Sequence, residues 1–199
     1  MERYKQSILS LVLMIGLAGC AGHPVIYPGK MEPGTRTYSF AFSGENLFPV
    51  YSLHQSVSPK MDLNLHVGVP FWGSGFSMTY LAKGIPGATR FTKINAGYIY
   101  QQNQSVELNI VREWHHRTSK LSSIMLGPRI TWILKDVRED KALRFGCVGG
   151  LAFRKRLLLE AGYTHDFALN TMKQDPDSNL PTGHHPVTGL SVRLIYMAK

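Results

Sequence analysis

The side chains with the most chemical potential here are the histidines, eight in number. Their arrangement bears on whether the chain could hold a metal or activate a nucleophile. Two adjacent pairs occur, His115-His116 and His184-His185. Neighbouring residues in a strand point to opposite faces, so neither pair chelates by itself. A metal centre needs three or four convergent ligands with partners that orient them, and no such spacing is present. Both pairs read as exposed loop histidines. A general base must lie within hydrogen-bond reach of its nucleophile. His116 stands three residues from Ser119, and His165 precedes Asp166, but neither arrangement forms a nucleophile motif. The expectation is a protein without catalysis, metal or bound cofactor.

Other polar residues ask for partners rather than substrates. Asp62, Glu107 and Glu160 are acidic, Arg144 and Arg193 basic, and with His66 they fall on one face of alternating segments. Arg129 and Asp166 lie near the ends of such segments. An unpaired charge in a narrow interior costs several kcal/mol, so mixed signs on one face predict an interior hydrogen-bonded network. Arg154-Lys155-Arg156 sits in a tight hairpin, where it reads equally as a contact for lipid headgroup phosphates or as a solvated turn. Cys147, on the apolar face, reads as a small hydrophobe.

The elements that carry these residues show a period of two. Met61, Leu63, Leu65, Val67 and Val69 alternate with Asp62, Asn64, His66 and Gly68. The same pattern marks segments 38–42, 76–80, 94–100, 106–110, 130–134, 143–153, 157–163 and 190–196, with a weaker one at 47–56 interrupted by Pro49. No stretch after residue 20 shows sustained helical spacing. Most connections are short, which favours consecutive antiparallel neighbours. One is long: residues 169–187 are polar and proline-bearing, a length usually functional or mobile. The fold expected is all-β, an antiparallel up-and-down barrel of about 8–10 strands.

Alternation does not say which face points outward; composition does. The polar face is small and lean (Ser39, Ala41, Ser77, Thr79, Gly97, Gly146, Gly150), and its middle carries no lysine; lysines such as Lys60, Lys83, Lys120 and Lys155 fall at turns and strand ends. A water-facing sheet would be studded with charge. Apolar outward, polar inward, with aromatics toward strand ends, is the pattern of a transmembrane barrel. Two features depart from it. Several segments are shorter than the ~9–11 residues of a tilted span, and the chain ends in Lys199 rather than an aromatic residue.

The start of the chain bears on the compartment. Arg3 and Lys5 precede an apolar run from Ile8 to Leu17, and Leu17-Ala18-Gly19-Cys20 follows. This tetrapeptide resembles the lipobox of bacterial lipoproteins. The resemblance implies removal of residues 1–19, with diacylglycerol and an N-acyl group on Cys20, and multiple acyl chains are what stable anchoring requires. Ala21 follows instead of an aspartate, which by the same resemblance implies export to the outer membrane. Residues 20–36, with prolines 24, 28 and 33, then read as a tether, extended and without packing of its own, and 37–199 as the barrel domain. The mature part is similar to small outer-membrane β-barrel proteins in general.

Loss of Glu2, Arg3 and Lys5 takes the formal charge from +9 to +8. An exported basic chain points to outer-membrane lipids, lipopolysaccharide phosphates or acidic polymers as partners, and not to nucleic acid. An even strand count places both termini on one side and the 169–187 loop on the other, where it could meet a surface partner. These features imply a lipid-anchored outer-membrane barrel with a structural or surface-interaction role. The rivals are a lipid-tethered periplasmic barrel binding a small hydrophobic ligand, and a lipid A or phospholipid-modifying enzyme (a lipid hydrolase or acyltransferase).

Overall fold

The protein is seen in a computed structural model that describes residues 26–29, 32–43, 49–68, 74–84, 88–100, 104–116, 120–135, 142–154, 156–165 and 188–198. Ten antiparallel strands close into a single up-and-down barrel in which each pairs with its neighbours in sequence and the last returns to the first. They are β1 (Arg36–Ser43), β2 (Val50–Ser58), β3 (Met61–Gly68), β4 (Ser74–Lys83), β5 (Arg90–Tyr100), β6 (Gln104–His115), β7 (Leu121–Lys135), β8 (Ala142–Phe153), β9 (Leu157–His165) and β10 (Thr188–Ala198). Closure is made by β1 against β10, with Tyr38 opposite Ala198 and Phe42 opposite Leu194. A closed ladder has no free edge, which removes the row of unpaired backbone groups an open sheet would expose.

The faces sort by polarity. On β3, buried Asp62, Asn64 and His66 alternate with Leu63, Leu65 and Val67, which are 43–55 % exposed. The same inversion of a soluble protein's pattern runs round the barrel: polar side chains fill the lumen and apolar ones form the outer wall. Along that wall Tyr38, Tyr80, Trp114, Phe153 and Tyr196 lie toward the end where β1 begins and β10 ends, the termini end. Tyr51, Phe76, Tyr100, Trp132, Phe145 and Tyr163 lie toward the opposite end, and aliphatic residues such as Leu65, Leu126, Leu159 and Leu194 lie between. Two levels of aromatic residues flanking an aliphatic band suit the two interfaces of a bilayer.

Three sequence readings need correction. The weak segment at 47–56 is a full strand: Pro49 stands just before β2, where its missing N–H interrupts no ladder bond. Strands β6 and β7 extend well past the alternation visible in the sequence, because near the termini end the lumen mixes apolar side chains with polar ones. Val111, Met125, Val148, Ala152, Leu158, Ile195 and Met197 point inward there, while Arg112 points outward, so the contrast of the two-residue period is lost. Finally, the segment before β1 does pack. Ile26 is 1 % and Tyr27 6 % exposed, and both join that apolar inward cluster.

In β7, Pro128 lacks a ladder donor, and the ladder to β6 pauses between the pairs Asn109–Arg129 and Arg112–Leu126. Gly127 is required beside it, since a Cβ there would lie 1.8 Å from the carbonyl oxygen of Ile110. Two residues on, Arg129, the ninth residue of β7, is buried in the lumen.

The termini end is also basic. Arg36, Lys60, Lys83, Arg90, Arg112, Lys120, Arg154 and Arg156 are exposed at or near strand ends on that side, while the described acids there are exposed Glu32 and buried Asp62 and Glu113.

Candidate functional site

The residues with chemistry converge in the lumen. Four acids, Asp62, Glu107, Glu113 and Glu160, and four bases, Lys93, Arg129, Arg144 and Arg193, are buried there. The described interior is therefore formally neutral, which is what a low-dielectric site demands when charged groups are retained in it.

At mid-height, Arg129 lies with Nε 3.1 Å from Glu107 Oε1 and Nη2 3.1 Å from Glu160 Oε1. Its Nε also donates to Asn109 Oδ1 at 3.0 Å. Arg193 donates through Nη2 to the same Glu160 oxygen. Asn109 donates to Glu107 at 2.7 Å and to Asn95 Oδ1 at 3.3 Å, and Asn95 donates to Thr79 at 2.9 Å. Strands β4, β5, β6, β7, β9 and β10 are thereby joined across the barrel by side chains alone. Asn95, Asn109, Glu107, Arg129 and Thr131 are each 0–1 % exposed, so this section is packed against itself rather than wetted. Such a network stiffens and specifies a structure when its members are satisfied.

A second group lies toward the termini end. Lys93 Nζ is 2.7 Å from Glu113 Oε2, and both side chains are essentially fully buried. Lys93 donates to the backbone oxygens of Tyr27 at 2.9 Å and Gly29 at 2.8 Å, while Gly29 N–H donates to Glu113 Oε1 at 2.8 Å. His115 Nε2 stands 2.9 Å from that same oxygen. The ion pair therefore holds the backbone of residues 27–29 from both sides. The Tyr27 ring stacks on His54 with centroids 4.1 Å apart, and its hydroxyl shares a 2.5 Å hydrogen bond with Ser39. Burial pushes the Tyr27 phenol up to about 12, against the opposing effect of the Ser39 bond. His54 in turn faces Asp62 at 3.1 Å, and Ser56 donates to Asp62 at 2.6 Å.

Each residue singled out in the sequence can now be placed. Asp62, His66, Glu107, Arg144, Glu160 and Arg193 all lie inside, with Asn64 Nδ2 3.5 Å from His66 Nδ1. Arg129 is central rather than near a strand end. His115 is not a loop histidine; it ends β6 and is one quarter exposed, beside Glu113. His116 is exposed. Arg154 and Arg156 are exposed in the β8–β9 turn, and Cys147 is exposed on the outer wall. Cys20, Ser119, Lys155, Asp166, His184, His185 and the 169–187 segment lie outside the described residues. Among the described residues no three His, Cys, Asp or Glu side chains group to hold a metal.

Sequence reasoning missed Lys93, Glu113 and His54. Lys93 shares the face of Asn95, and Glu113 the face of Asn109, so carrying the alternation one period further at each strand end would have placed both inside. The chain matches no protein-family model, no curated protein and no solved structure.

Proposed function

We propose that this chain is a lipid-anchored β-barrel of the bacterial outer membrane with a structural or surface-interaction role. The observation that carries the reading is the pairing of an apolar, aromatic-flanked outer wall with a formally neutral polar lumen whose charges pair across strands. In water that wall would be an exposed apolar surface far beyond what a soluble monomer tolerates; in a bilayer it is the solvated face. Strands of 8 to 15 residues suit tilted spans of unequal margin. A tethered soluble barrel with a hydrophobic ligand inside would turn its broad apolar face inward, whereas here Leu63, Leu65, Phe76, Leu126, Trp132 and Leu194 are exposed on the outside.

Lipidation of Cys20 rests on the Leu17-Ala18-Gly19-Cys20 motif. With Ile26 seated in the barrel, Cys20 is six residues away, a reach of at most about 20 Å. In this reading the diacylglycerol and N-acyl chains enter the leaflet on the side where β1 begins and β10 ends. Segment 169–187 joins β9 to β10 at the opposite end, which in this orientation faces outward and is offered to a surface partner. Lipids, including lipopolysaccharide, are the surroundings; no nucleic acid and no cofactor enters the reading. Growth with radiolabelled palmitate tests the anchor. The wild type is expected to carry label in the outer-membrane fraction and Cys20→Ser to carry none; equal labelling of the two would contradict lipidation at Cys20.

A further inference from the structure

The lumen is neutral among its described residues, so the exposed positive charge described in the structure gathers at the termini-side rim: eight lysines and arginines against Glu32. At one place this charge meets a shaped cleft. Lys120, Arg154 and Arg156 surround a hollow of about 500 Å³ whose remaining walls are Phe153 and Leu157. The backbone holding the cations is pinned. Arg154 N–H donates to the Lys120 carbonyl at 3.1 Å, Arg156 N–H to Phe153 at 3.0 Å, and Met197 N–H to the Arg156 carbonyl at 2.6 Å. Arg154 takes a positive φ of 48°, a conformation that costs a non-glycine residue and fixes the turn.

We infer that this cleft binds the phosphate of an anionic glycerophospholipid, resting on the membrane reading above. Three positions argue for a lipid rather than a free anion. The cations stand where the apolar wall ends, at headgroup depth. Phe153 and Leu157 offer an apolar surface to the first acyl carbons. Leu151 and Leu159 continue that surface along β8 and β9. Arginine suits the role because its planar fork matches phosphate oxygens two at a time. The rim lies at the end where β1 begins, which the membrane reading places in the inner leaflet, so the occupant is a glycerophospholipid of that leaflet and not lipopolysaccharide of the other.

Native mass spectrometry of the detergent-solubilised full chain tests this with three probes: phosphatidylglycerol, phosphatidylcholine and inorganic phosphate. Wild type is expected to retain phosphatidylglycerol about tenfold better than phosphatidylcholine. Lys120→Gln/Arg154→Asn/Arg156→Gln should abolish that preference; asparagine is chosen because it tolerates the left-handed turn. A control on the same rim, Lys60→Gln/Lys83→Gln/Arg90→Gln, should keep it. Equal retention of the two lipids, equal loss in both triple variants, or full displacement by inorganic phosphate would each overturn the proposal. Faster migration of the unboiled protein in SDS, read for every variant, shows that each barrel is closed. Solubility of the wild type without detergent would remove the membrane reading and this proposal together. A detergent-requiring barrel indifferent to phosphatidylglycerol removes the proposal alone.

Discussion

Replacing Arg129 by methionine is expected to destabilise the barrel by about 3–5 kcal/mol, the cost of removing one partner from a buried ion pair. The guanidinium stands between Glu107 and Glu160, at 3.1 Å from each. Arg193 still neutralises Glu160 when Arg129 is gone. Glu107 keeps its hydrogen bonds from Asn109 and Thr131 but loses the Arg129 contact. Methionine fills the space of the arginine stem, so the loss reports charge more than volume. Urea unfolding of the protein refolded into vesicles, followed by tryptophan fluorescence, measures it. Adding Glu107→Gln should recover part of the loss, since groups in one network couple by about 0.5–3 kcal/mol. A change within about 0.5 kcal/mol for Arg129→Met, the size of an ordinary surface substitution, would contradict the network as described.

The second large effect concerns the segment held inside the barrel. Lys93→Met removes two charge-assisted hydrogen bonds, to Tyr27 and Gly29 oxygens, and leaves Glu113 without its ammonium partner. Hydrogen bonds to charged groups contribute about 1.5–3 kcal/mol each. The Gly29 amide, bonded to Glu113 in the wild type, should therefore exchange with deuterium at least about a hundredfold faster in the variant. Strand amides at mid-barrel should change far less. Unchanged exchange at Gly29 would mean that the ion pair does not hold residues 27–29 in place.

Much of this arrangement is legible in the sequence, and the illegible parts have physical causes. The run from Met61 to Gly68 shows its two faces at once, because apolar residues face out and polar ones face in throughout. Where the lumen turns apolar, as at Val111 and Met125, the contrast disappears and the strand ends blur. Closure by Tyr38 against Ala198 leaves no mark on alternation, since it depends on the register of eight intervening strands. The docked segment is hidden by composition: Ile26 and Tyr27 stand among prolines and glycines that read as an extended tether. The residues that receive them, Lys93, Glu113 and His54, belong to three different strands. Of the interior network, Asp62, His66, Glu107, Arg144, Glu160 and Arg193 were readable from face and charge sign. Arg129 was misplaced because β7 runs eight residues further before it than its alternation suggests.

The central claim is that the apolar wall faces lipid, and the chain carries its own probe of it. Cys147 lies on the outer wall near the middle of β8, five residues from its start and six from its end, and is exposed among apolar neighbours. Outer-membrane vesicles would be treated with a charged, membrane-impermeant maleimide, then digested with trypsin, and the Phe145–Arg154 peptide read by mass spectrometry. Thiols buried in hydrocarbon are out of reach of such a reagent, so the peptide should stay unlabelled until the barrel is unfolded and then label fully. Rapid labelling of Cys147 in the folded protein would place that wall in water and contradict the account.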